Sequence, residues 1–423
     1  MFNVYLLNSI FFLTYICFDI SKHLSTKSPY SLLDERVQQS AASNCIIAHI
    51  QLISRHGTRN PSKKDIKAIE SLMLFEKTSV LVQSYAWIKA WKSPYITEEN
   101  MLLDKRGETE LYTLGERTRS LYPSIFQFGY TPSRFAFHNS PTSRTSQSAS
   151  AYSLGLFGEA EKINSSETQP VSIVTYPENE GFLLEPKSNC LFWKANVKGS
   201  SFKKAQIAKY IEEFISPIAK TLSEAINSTI TVEDVQAIYK ACAYEISLSK
   251  PTQWCSLLEE TDILDLEYLE DLDYYFTYAY GNSINAKMSC SLISDFINKI
   301  EDYSTNDSPL LGDFQFGHSQ TIQFLITALG LFKDEFNLTW DLDKDLKLKR
   351  DFKTSQISPF ASNVFIETYR CGADLKVRFI VNEAPVKLPA CSSIFCPFTE
   401  LKEILDPLIG CSRTDLCSGK LHS

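Results

Sequence analysis

The sequence predicts an α/β fold, in which a central sheet is flanked by helices and interrupted by a mainly α-helical insertion. A buried-strand pattern at Ile46–Ile53 is followed by a helical pattern that begins near Ser62. The same order returns at Asp313–Gly317, which precedes a helical repeat from Ile322 to Leu329. Between these units, segments with helical periodicity dominate residues 161–304. Strands that alternate with helices are typical of a parallel sheet covered on both faces.

The first strand is followed directly by three side chains that can act on an anion. Arg55, His56 and Arg59 come at its carboxyl end, and Ser62 and Asp65 then have the spacing of a helix capping box. Open α/β sheets bind their ligands at the carboxyl ends of strands. We therefore expect these three side chains at a binding site.

The chemistry of this cluster indicates a phosphate. Two guanidinium groups, on Arg55 and Arg59, can form forked hydrogen bonds to phosphate oxygens. The imidazole of His56 lies between these cations and is biased toward its neutral, nucleophilic form. Attack on phosphorus would give a phosphohistidine intermediate. The alternative interpretation is a surface Arg-His pair in a turn.

A fourth cation lies further along the chain. Gly107–Leu121 has a helical pattern, Ser133–Asn139 predicts a strand, and Arg144 begins the helix that follows it. A cation at the start of a helix is unfavourable for the helix dipole, so we expect an anion near Arg144. An ordinary surface arginine is the competing interpretation.

Arg-His-Gly-x-Arg-x-Pro, present here as Arg55–Pro61, is the signature of the histidine acid phosphatases, and the chain resembles their multiple inositol polyphosphate phosphatase branch. The likeness covers nearly the whole chain after residue 44. Its other segments are Phe316–His318, Leu329–Asp334, Pro359–Asn363, and the late Cys411 and Cys417. The resemblance implies a phosphoglycerate-mutase-like core in two parts, residues 44–160 and 305–423, around the insertion at 161–304.

The resemblance also implies the roles of the site residues. His56 is expected to be the nucleophile, and His318 is expected to hydrogen-bond the transferring phosphoryl group. The remaining phosphate ligands are expected to be Arg55, Arg59 and Arg144. The proton donor is expected two residues after the second histidine, where the branch has Glu and this chain has Gln320.

Gln320 is the most consequential departure from the family pattern. A carboxylic acid can protonate the leaving oxygen, whereas a carboxamide can only hydrogen-bond to it. Loss of a general acid costs about two to four orders of magnitude in rate. Either catalysis is slow or another acid substitutes, and the candidates are Asp313 and the phosphates of the substrate itself.

The resemblance implies a phosphomonoesterase that acts on inositol hexakisphosphate and lower inositol polyphosphates, and also on 2,3-bisphosphoglycerate, without a metal or cofactor. A second hypothesis is a binding protein that keeps the phosphate ligands and has lost turnover. A third is a phosphoryl-transfer mutase with the same fold. The expected partner is a small phosphorylated molecule, and the oligomeric state stays open.

An apolar segment at residues 1–20 indicates a secretory signal, with an uncleaved anchor as the alternative. Ten cysteines follow it, an even number that favours disulfides in an exported chain. The spacing suggests three local pairs: Cys242 with Cys255, Cys391 with Cys396, and Cys411 with Cys417. Four sequons favour the same compartment: those at Asn164, Asn227, Asn306 and Asn337. We therefore expect a secreted protein with no stable membrane partner.

Charge argues against nucleic-acid binding, because the net charge is −8 and the pI is about 5.5. We expect the basic run Lys344–Arg350 to be solvated surface. The acidic runs Glu259–Asp262 and Asp271–Asp273 lack the spacing of a calcium loop, so we also expect them to be solvated.

Overall fold

A computed structural model describes residues 18–30, 44–77, 83–158, 169–178, 182–305 and 308–419. The predicted signal segment lies almost entirely outside these ranges, as do the sequons at Asn164 and Asn306. Phe18 and Ile20, at the end of that segment, pack partly buried against the core. Among the described residues, no helix is both long enough and apolar enough to cross a bilayer.

Within the described residues, one mixed sheet of eight strands lies at the centre of the fold. Its strands are β1 (Ile46–Arg55), β2 (Phe135–Asn139), β3 (Val174–Thr175), β4 (Gly312–Gly317), β5 (Asn363–Cys371), β6 (Asp374–Val381), β7 (Ala384–Val386) and β8 (Cys396–Pro397). The spatial order is β3-β2-β4-β1-β5-β6-β7, and β8 also pairs with β6. The first four strands are parallel, and β5 to β8 are antiparallel. The α/β fold is thereby confirmed.

Helices cover both faces of this sheet. Those before residue 160 are α1 (Lys63–Ser71), α2 (Lys105–Leu121), α3 (Pro123–Phe126) and α4 (Ser143–Phe157). Those between β3 and β4 are α5 (Leu191–Trp193), α6 (Ser201–Tyr210), α7 (Ser216–Ile226), α8 (Val232–Ser247), α9 (Glu260–Tyr278), α10 (Ile284–Lys287) and α11 (Cys290–Thr305). Those after β4 are α12 (Ser319–Ala328), α13 (Lys344–Lys349), α14 (Thr354–Ile357), α15 (Phe398–Leu405) and α16 (Arg413–Ser418). The treatment of residues 161–304 as a separate insertion stays a prediction.

The register of the parallel strands brings distant segments to one edge of the sheet. Arg55 at the end of β1 lies opposite Gly317 at the end of β4, and Asn139 at the end of β2 lies opposite Phe316. The chain therefore leaves all three strands at the same edge. This is why residues separated by more than 250 positions in sequence can form a single site.

Two apolar cores lie on either side of the sheet. One is rich in aromatic side chains, including Phe126, Phe137, Phe157 and Phe314, and packs under α2 and α4. The other lies under α8, α9, α11 and α12. Burial on both faces accounts for the almost uniformly apolar pattern seen in the first strand.

The predictions of solvated charge are wrong at Asp271 in the second acidic run and at Lys347 and Arg350 in the basic run, whereas the other charged residues of the basic run are exposed as predicted. The side chain of Arg350 is buried and forms an ion pair with the fully buried Asp271 of α9. Lys347 is also buried, with its ammonium group over the Phe214 ring at 3.5 Å. Opposite charges from distant segments can be buried together, because each compensates the other.

Five disulfides account for the ten cysteines after Cys17. They join Cys45 to Cys371, Cys190 to Cys417, Cys242 to Cys255, Cys290 to Cys411, and Cys391 to Cys396. Two of the local pairs are confirmed, but the pairing of Cys411 with Cys417 is wrong. Cys411 precedes α16, whereas Cys417 lies within it. Because α16 packs against α5, Cys417 meets Cys190, and Cys411 meets Cys290 instead.

Candidate active site

His56 lies at the edge where β1 ends. Its backbone N–H donates to the carbonyl of Gly317 at 3.0 Å, and its own carbonyl accepts from the N–H of Ala361 at 3.0 Å. These two bonds join the residue to the ends of both neighbouring strands. The backbone around His56 is therefore held from both sides.

The hydrogen bonds of the His56 ring define its protonation. Nδ1 lies 2.8 Å from the carbonyl oxygen of Gly57, which can only accept, so Nδ1 carries the proton. The remaining nitrogen, Nε2, is then an unprotonated nucleophile. Burial lowers the pKa of His56 well below its ordinary value, and the charges of Arg55 and Arg144 lower it further. Sequence reasoning expected this direction, but the larger cause is burial rather than neighbouring charge.

The guanidinium of Arg55 is fixed by backbone carbonyls. Its Nη1 donates to the carbonyl of Thr26 at 2.5 Å and to that of Ser358 at 2.7 Å, and its planar group lies over the Phe360 ring at 4.3 Å. Its Nε is buried without a hydrogen-bond partner among the described residues. The group is thus held rigidly with donor capacity left for a ligand.

Arg59 is held from the neighbouring helices. Its Nη1 donates to the carbonyl of Asn60 at 2.7 Å and to the hydroxyl of Tyr244 on α8 at 3.3 Å. In the same loop, the N–H and hydroxyl of Thr58 both donate to Glu110 of α2 at 2.8 Å. Helices from two parts of the chain therefore fix the loop that follows β1.

Arg144 and His318 meet directly at the ends of β2 and β4. Nη2 of Arg144 donates to Nδ1 of His318 at 3.2 Å. The other ring nitrogen of His318, Nε2, lies 2.8 Å from Oε1 of Glu185 and 2.9 Å from Oγ of Ser140. The rings of His318 and His56 are 5.6 Å apart between centroids.

The charges in this cluster favour an anion. Burial lowers the pKa of Arg55 to about 9 and that of Arg144 to about 10, and the nearby charge of Arg59 contributes to both shifts. Bringing such cations together out of water is unfavourable unless a negative group joins them. Charge-assisted hydrogen bonds to phosphate span about 2.7–2.9 Å, so one phosphoryl group can contact several of these side chains.

The structure brings together five of the six predicted site residues. They are Arg55, His56, Arg59, Arg144 and His318. Gln320 is half-buried in the first turn of α12, two residues after His318. The structure does not test its role or the roles of the other five.

Asp313 does not lie in this cluster. It is buried within β4, four residues before the end of the strand, where it accepts from Lys299 at 2.8 Å and from Gln315 at 2.8 Å. At about 3.3 Å per residue in a strand, it is about 13 Å from Gly317. It is therefore not a candidate to replace the missing acid.

Sequence reasoning missed Glu185 and Tyr244, which contact site residues, and Glu110, which holds Thr58 in the loop after β1. Glu185 lies in an irregular stretch with no repeat or motif, and Tyr244 lies inside a helix whose periodicity indicates only packing. Phe360, in contrast, belongs to the family-like segment Pro359–Asn363. Of the neighbours of the cluster named here, only Phe360 lies in a segment that the sequence analysis had singled out.

A family model described as the histidine phosphatase superfamily (branch 2) matches residues 46–382 of the chain. The chain belongs to this family. The match spans the strands whose ends carry the cluster, from Arg55 through Arg144 to His318. The resemblance stated from the sequence is thereby confirmed.

Proteins similar to this chain are named as multiple inositol polyphosphate phosphatases and phytases. The chain is 28% identical to "Multiple inositol polyphosphate phosphatase 1" of Dictyostelium discoideum, covering 91% of this chain and 74% of that protein. Among solved structures, the phytase from D. castellii superposes with a TM-score of 0.80 at 19% identity, covering 95% of this chain and 88% of that one. The multiple inositol polyphosphate phosphatase of Bifidobacterium longum in complex with inositol hexasulfate has a TM-score of 0.65 at 14% identity, covering 91% and 97%. These two structures show a shared histidine phosphatase fold.

Proposed function

We propose that this protein hydrolyses phosphomonoesters of inositol polyphosphates through a phosphohistidine intermediate on His56. Inositol hexakisphosphate is the main substrate, and 2,3-bisphosphoglycerate is a second one. The observation that carries the proposal is the convergence of three guanidinium groups on two neutral imidazoles at one sheet edge. Membership of the histidine phosphatase superfamily makes the protein a phosphomonoesterase of this type.

The hydrogen bonds of the site support the assigned roles. The guanidinium groups of Arg55, Arg59 and Arg144 bind the phosphoryl oxygens and neutralise their charge. Nε2 of His56, freed by the Nδ1 bond to Gly57, attacks phosphorus while the bridging P–O bond breaks. Water then attacks the phosphohistidine, which releases phosphate and restores His56.

The substrate class rests on the relatives. The Dictyostelium relative is named for inositol polyphosphates, and the Bifidobacterium structure holds inositol hexasulfate, an analogue with six anionic groups. A chain with this cluster of cations would be suited to the same kind of ligand. The reaction is proposed to proceed without a metal or cofactor.

The protein is also proposed to be secreted. Five disulfides are typical of an oxidising compartment, and two of the four sequons, at Asn227 and Asn337, are exposed. The signal segment at residues 1–20 remains a prediction from sequence.

The test is a phosphate-release assay on the purified protein with 4-nitrophenyl phosphate and with inositol hexakisphosphate. An aryl ester needs little protonation of its leaving oxygen, so we expect ready turnover of the first substrate and slower turnover of the second. Substitution of Gln320→Glu is expected to accelerate the second by ten-fold or more, because a carboxylic acid can donate a proton. Acid-labile phosphate on the protein, absent in His56→Ala, would identify the intermediate.

The alternative is a binding protein that has lost turnover, and Gln320 is the observation that favours it. In that case neither ester would be hydrolysed, Gln320→Glu would change nothing, and inositol hexakisphosphate would still raise the unfolding temperature. That combination of results would refute the enzymatic proposal.

A further inference from the structure

Among the residues that the structure describes, Glu185 is the one carboxylate that lies against a site imidazole. Its Oε1 lies 2.8 Å from Nε2 of His318, and both side chains are largely buried, at 19% and 9% exposure. A carboxylate only accepts hydrogen bonds, so the Nε2 proton of His318 points at Glu185. The carboxylate is ionised, because the hydrogen bond with His318 lowers the pKa of Glu185.

The opposite ring nitrogen faces the phosphate site. Nδ1 of His318 accepts from Nη2 of Arg144 at 3.2 Å, and the centroid of the His56 ring lies 5.6 Å from that of the His318 ring. A bound phosphate dianion would compete for the guanidinium of Arg144 and would leave Nδ1 beside a phosphate oxygen. Two acceptors would then face each other unless Nδ1 gained a proton. The imidazolium form, with Glu185 on one side and phosphate on the other, satisfies both contacts.

We propose that Glu185 is a positioning residue that holds a proton on His318, so that His318, rather than residue 320, protonates the leaving oxygen of the substrate. The inference rests on the proposed phosphatase function and names the acid that replaces the family's Glu. It also explains how a chain with Gln320 can act on alkyl esters. A carboxylate behind an imidazole fixes the tautomer and stabilises the imidazolium.

The groups around His318 account for its two states. Without substrate, burial lowers the pKa of His318 to about 4, with Arg144 and Lys187 adding to the shift and Glu185 opposing it. The ring is therefore neutral in the free protein. His56 is the other titratable group that faces this ring, and it is neutral as well. The phosphate dianion supplies the second negative charge that is needed for His318 to be protonated.

The two chemical steps together return His318 to its protonated form. In the first step the N–P bond to Nε2 of His56 forms, the bridging P–O bond breaks, and the Nδ1 proton of His318 passes to the leaving oxygen to give an alcohol. In the second step water attacks phosphorus, the N–P bond breaks, and the proton lost by water returns to Nδ1 of His318. No oxidant, metal or second substrate is needed.

The test compares two monoesters on the full-length protein: 4-nitrophenyl phosphate, whose leaving group needs no proton, and glycerol 2-phosphate, whose leaving group does. For Glu185→Gln we expect kcat on glycerol 2-phosphate to fall by about 10²-fold or more, since general acid catalysis contributes about 10²–10⁴-fold. On 4-nitrophenyl phosphate we expect a loss of less than ten-fold. Glu185→Asp, which keeps the charge, is expected to recover part of the selective loss.

The pH profile separates proton delivery from simple support of the site. A general acid must be protonated, so kcat on glycerol 2-phosphate falls above the pKa of His318 in the substrate complex. Removing the charge of Glu185 lowers that pKa, and the alkaline limb of the Glu185→Gln profile should move to lower pH. A merely structural role for Glu185 would reduce the rate without moving this limb.

The matched control is Glu383→Gln. Glu383 is a similarly buried carboxylate, at 15% exposure, and it is paired with Arg117 rather than with a site residue. This variant is expected to keep both rates. Turnover of 4-nitrophenyl phosphate by Glu185→Gln serves as the check that its site is folded.

Equal losses on both esters for Glu185→Gln, an unmoved pH limb, or a wild type that hydrolyses the aryl ester but not the alkyl ester would each overturn this inference alone. A wild type that turns over neither ester and forms no phosphohistidine would overturn the proposed function, and this inference with it.

Discussion

At the scale of single residues, the partner of one ring nitrogen decides what the other can do. In His56, the bond from Nδ1 to the carbonyl of Gly57 leaves Nε2 unprotonated. In His318, the bond from Nε2 to Glu185 leaves Nδ1 as the nitrogen that faces Arg144. Both rings therefore have a defined orientation and tautomer before any ligand binds.

Burial of neutral imidazoles also makes stability depend on pH, and His49 tests this apart from catalysis. The side chain of His49 is fully buried, and neither ring nitrogen has a partner among the described residues. Burial lowers its pKa to about 4. Below the unfolded pKa of about 6.5, the unfolded chain binds a proton that the native chain does not, so stability is lost as the pH falls from 6.5 toward 4.

We predict that His49→Phe removes this pH-dependent loss. The free energy of unfolding of the variant, minus that of the wild type, should increase by about 1.4 kcal/mol for each unit by which the pH falls from 6.5 to about 4. Urea denaturation at pH 6.5, 5.5 and 4.5 measures this difference. A difference that stays constant across these pH values would mean that His49 is protonated in the native state.

At the scale of elements, a close contact between two helices positions much of the site. α2 carries Glu110, which holds Thr58, and α4 carries Arg144. The helices approach closely at Gly115 and Gly155. A Cβ atom at Gly155 would lie 2.0 Å from the carbonyl oxygen of Tyr112, and one at Gly115 would lie 2.3 Å from that of Tyr152. Only glycine permits this distance between the helices.

We predict that Gly155→Ala lowers the free energy of unfolding by about 1–3 kcal/mol, because the helices must separate to admit the methyl group. The KM for 4-nitrophenyl phosphate should rise as well, since α4 carries Arg144. Leu154→Ala is the matched control, because Leu154 is the adjacent residue and 41% exposed, and its effect should stay within about 0.5 kcal/mol. Urea denaturation of the three proteins provides the comparison. Equal effects for both variants would contradict the role of this contact.

At the scale of the whole molecule, buried charges and disulfides join segments that are distant in sequence. Arg350, which follows α13, pairs with Asp271 of α9, and Asp271 also accepts from the N–H of Thr354 at 2.9 Å. Cys45 and Cys371 join the start of β1 to the end of β5. The first link ties α9 to the segment that follows α13, and the second ties two neighbouring strands of the sheet that carries the site.

We predict that Asp271→Asn destabilises the protein by about 3–5 kcal/mol, because it leaves the buried charge of Arg350 without its main partner. The double variant Asp271→Leu with Arg350→Met should be less destabilised than Asp271→Asn, since it removes both charges. Asp273→Asn, at a more exposed acid two residues later, should cost less than about 1 kcal/mol. Urea denaturation distinguishes these outcomes. A double variant no more stable than Asp271→Asn would show that the unpaired charge of Arg350 is not the cause of the destabilisation.

Local sequence determined the parts of this protein whose physics is local. Three features could be predicted because each depends on neighbouring residues. They are the buried strand β1, the cap of α1, and the placement of Arg55, His56 and Arg59 at the end of β1. Arg144 was singled out by its place at the start of a helix, but its role as a phosphate ligand and the role of His318 were predicted through the family resemblance, since nothing in their own neighbourhoods requires them to meet.

Only the tertiary structure decided what depends on contacts between distant segments. The parallel register of β1, β2 and β4 brought the site residues together, and the irregular stretch before Cys190 placed Glu185 against His318. The same reason explains the wrong predictions for Asp271, Arg350 and the pairing of Cys411 with Cys417. A charge or a thiol carries no local sign of its partner, because burial and pairing are properties of the folded chain rather than of neighbouring residues.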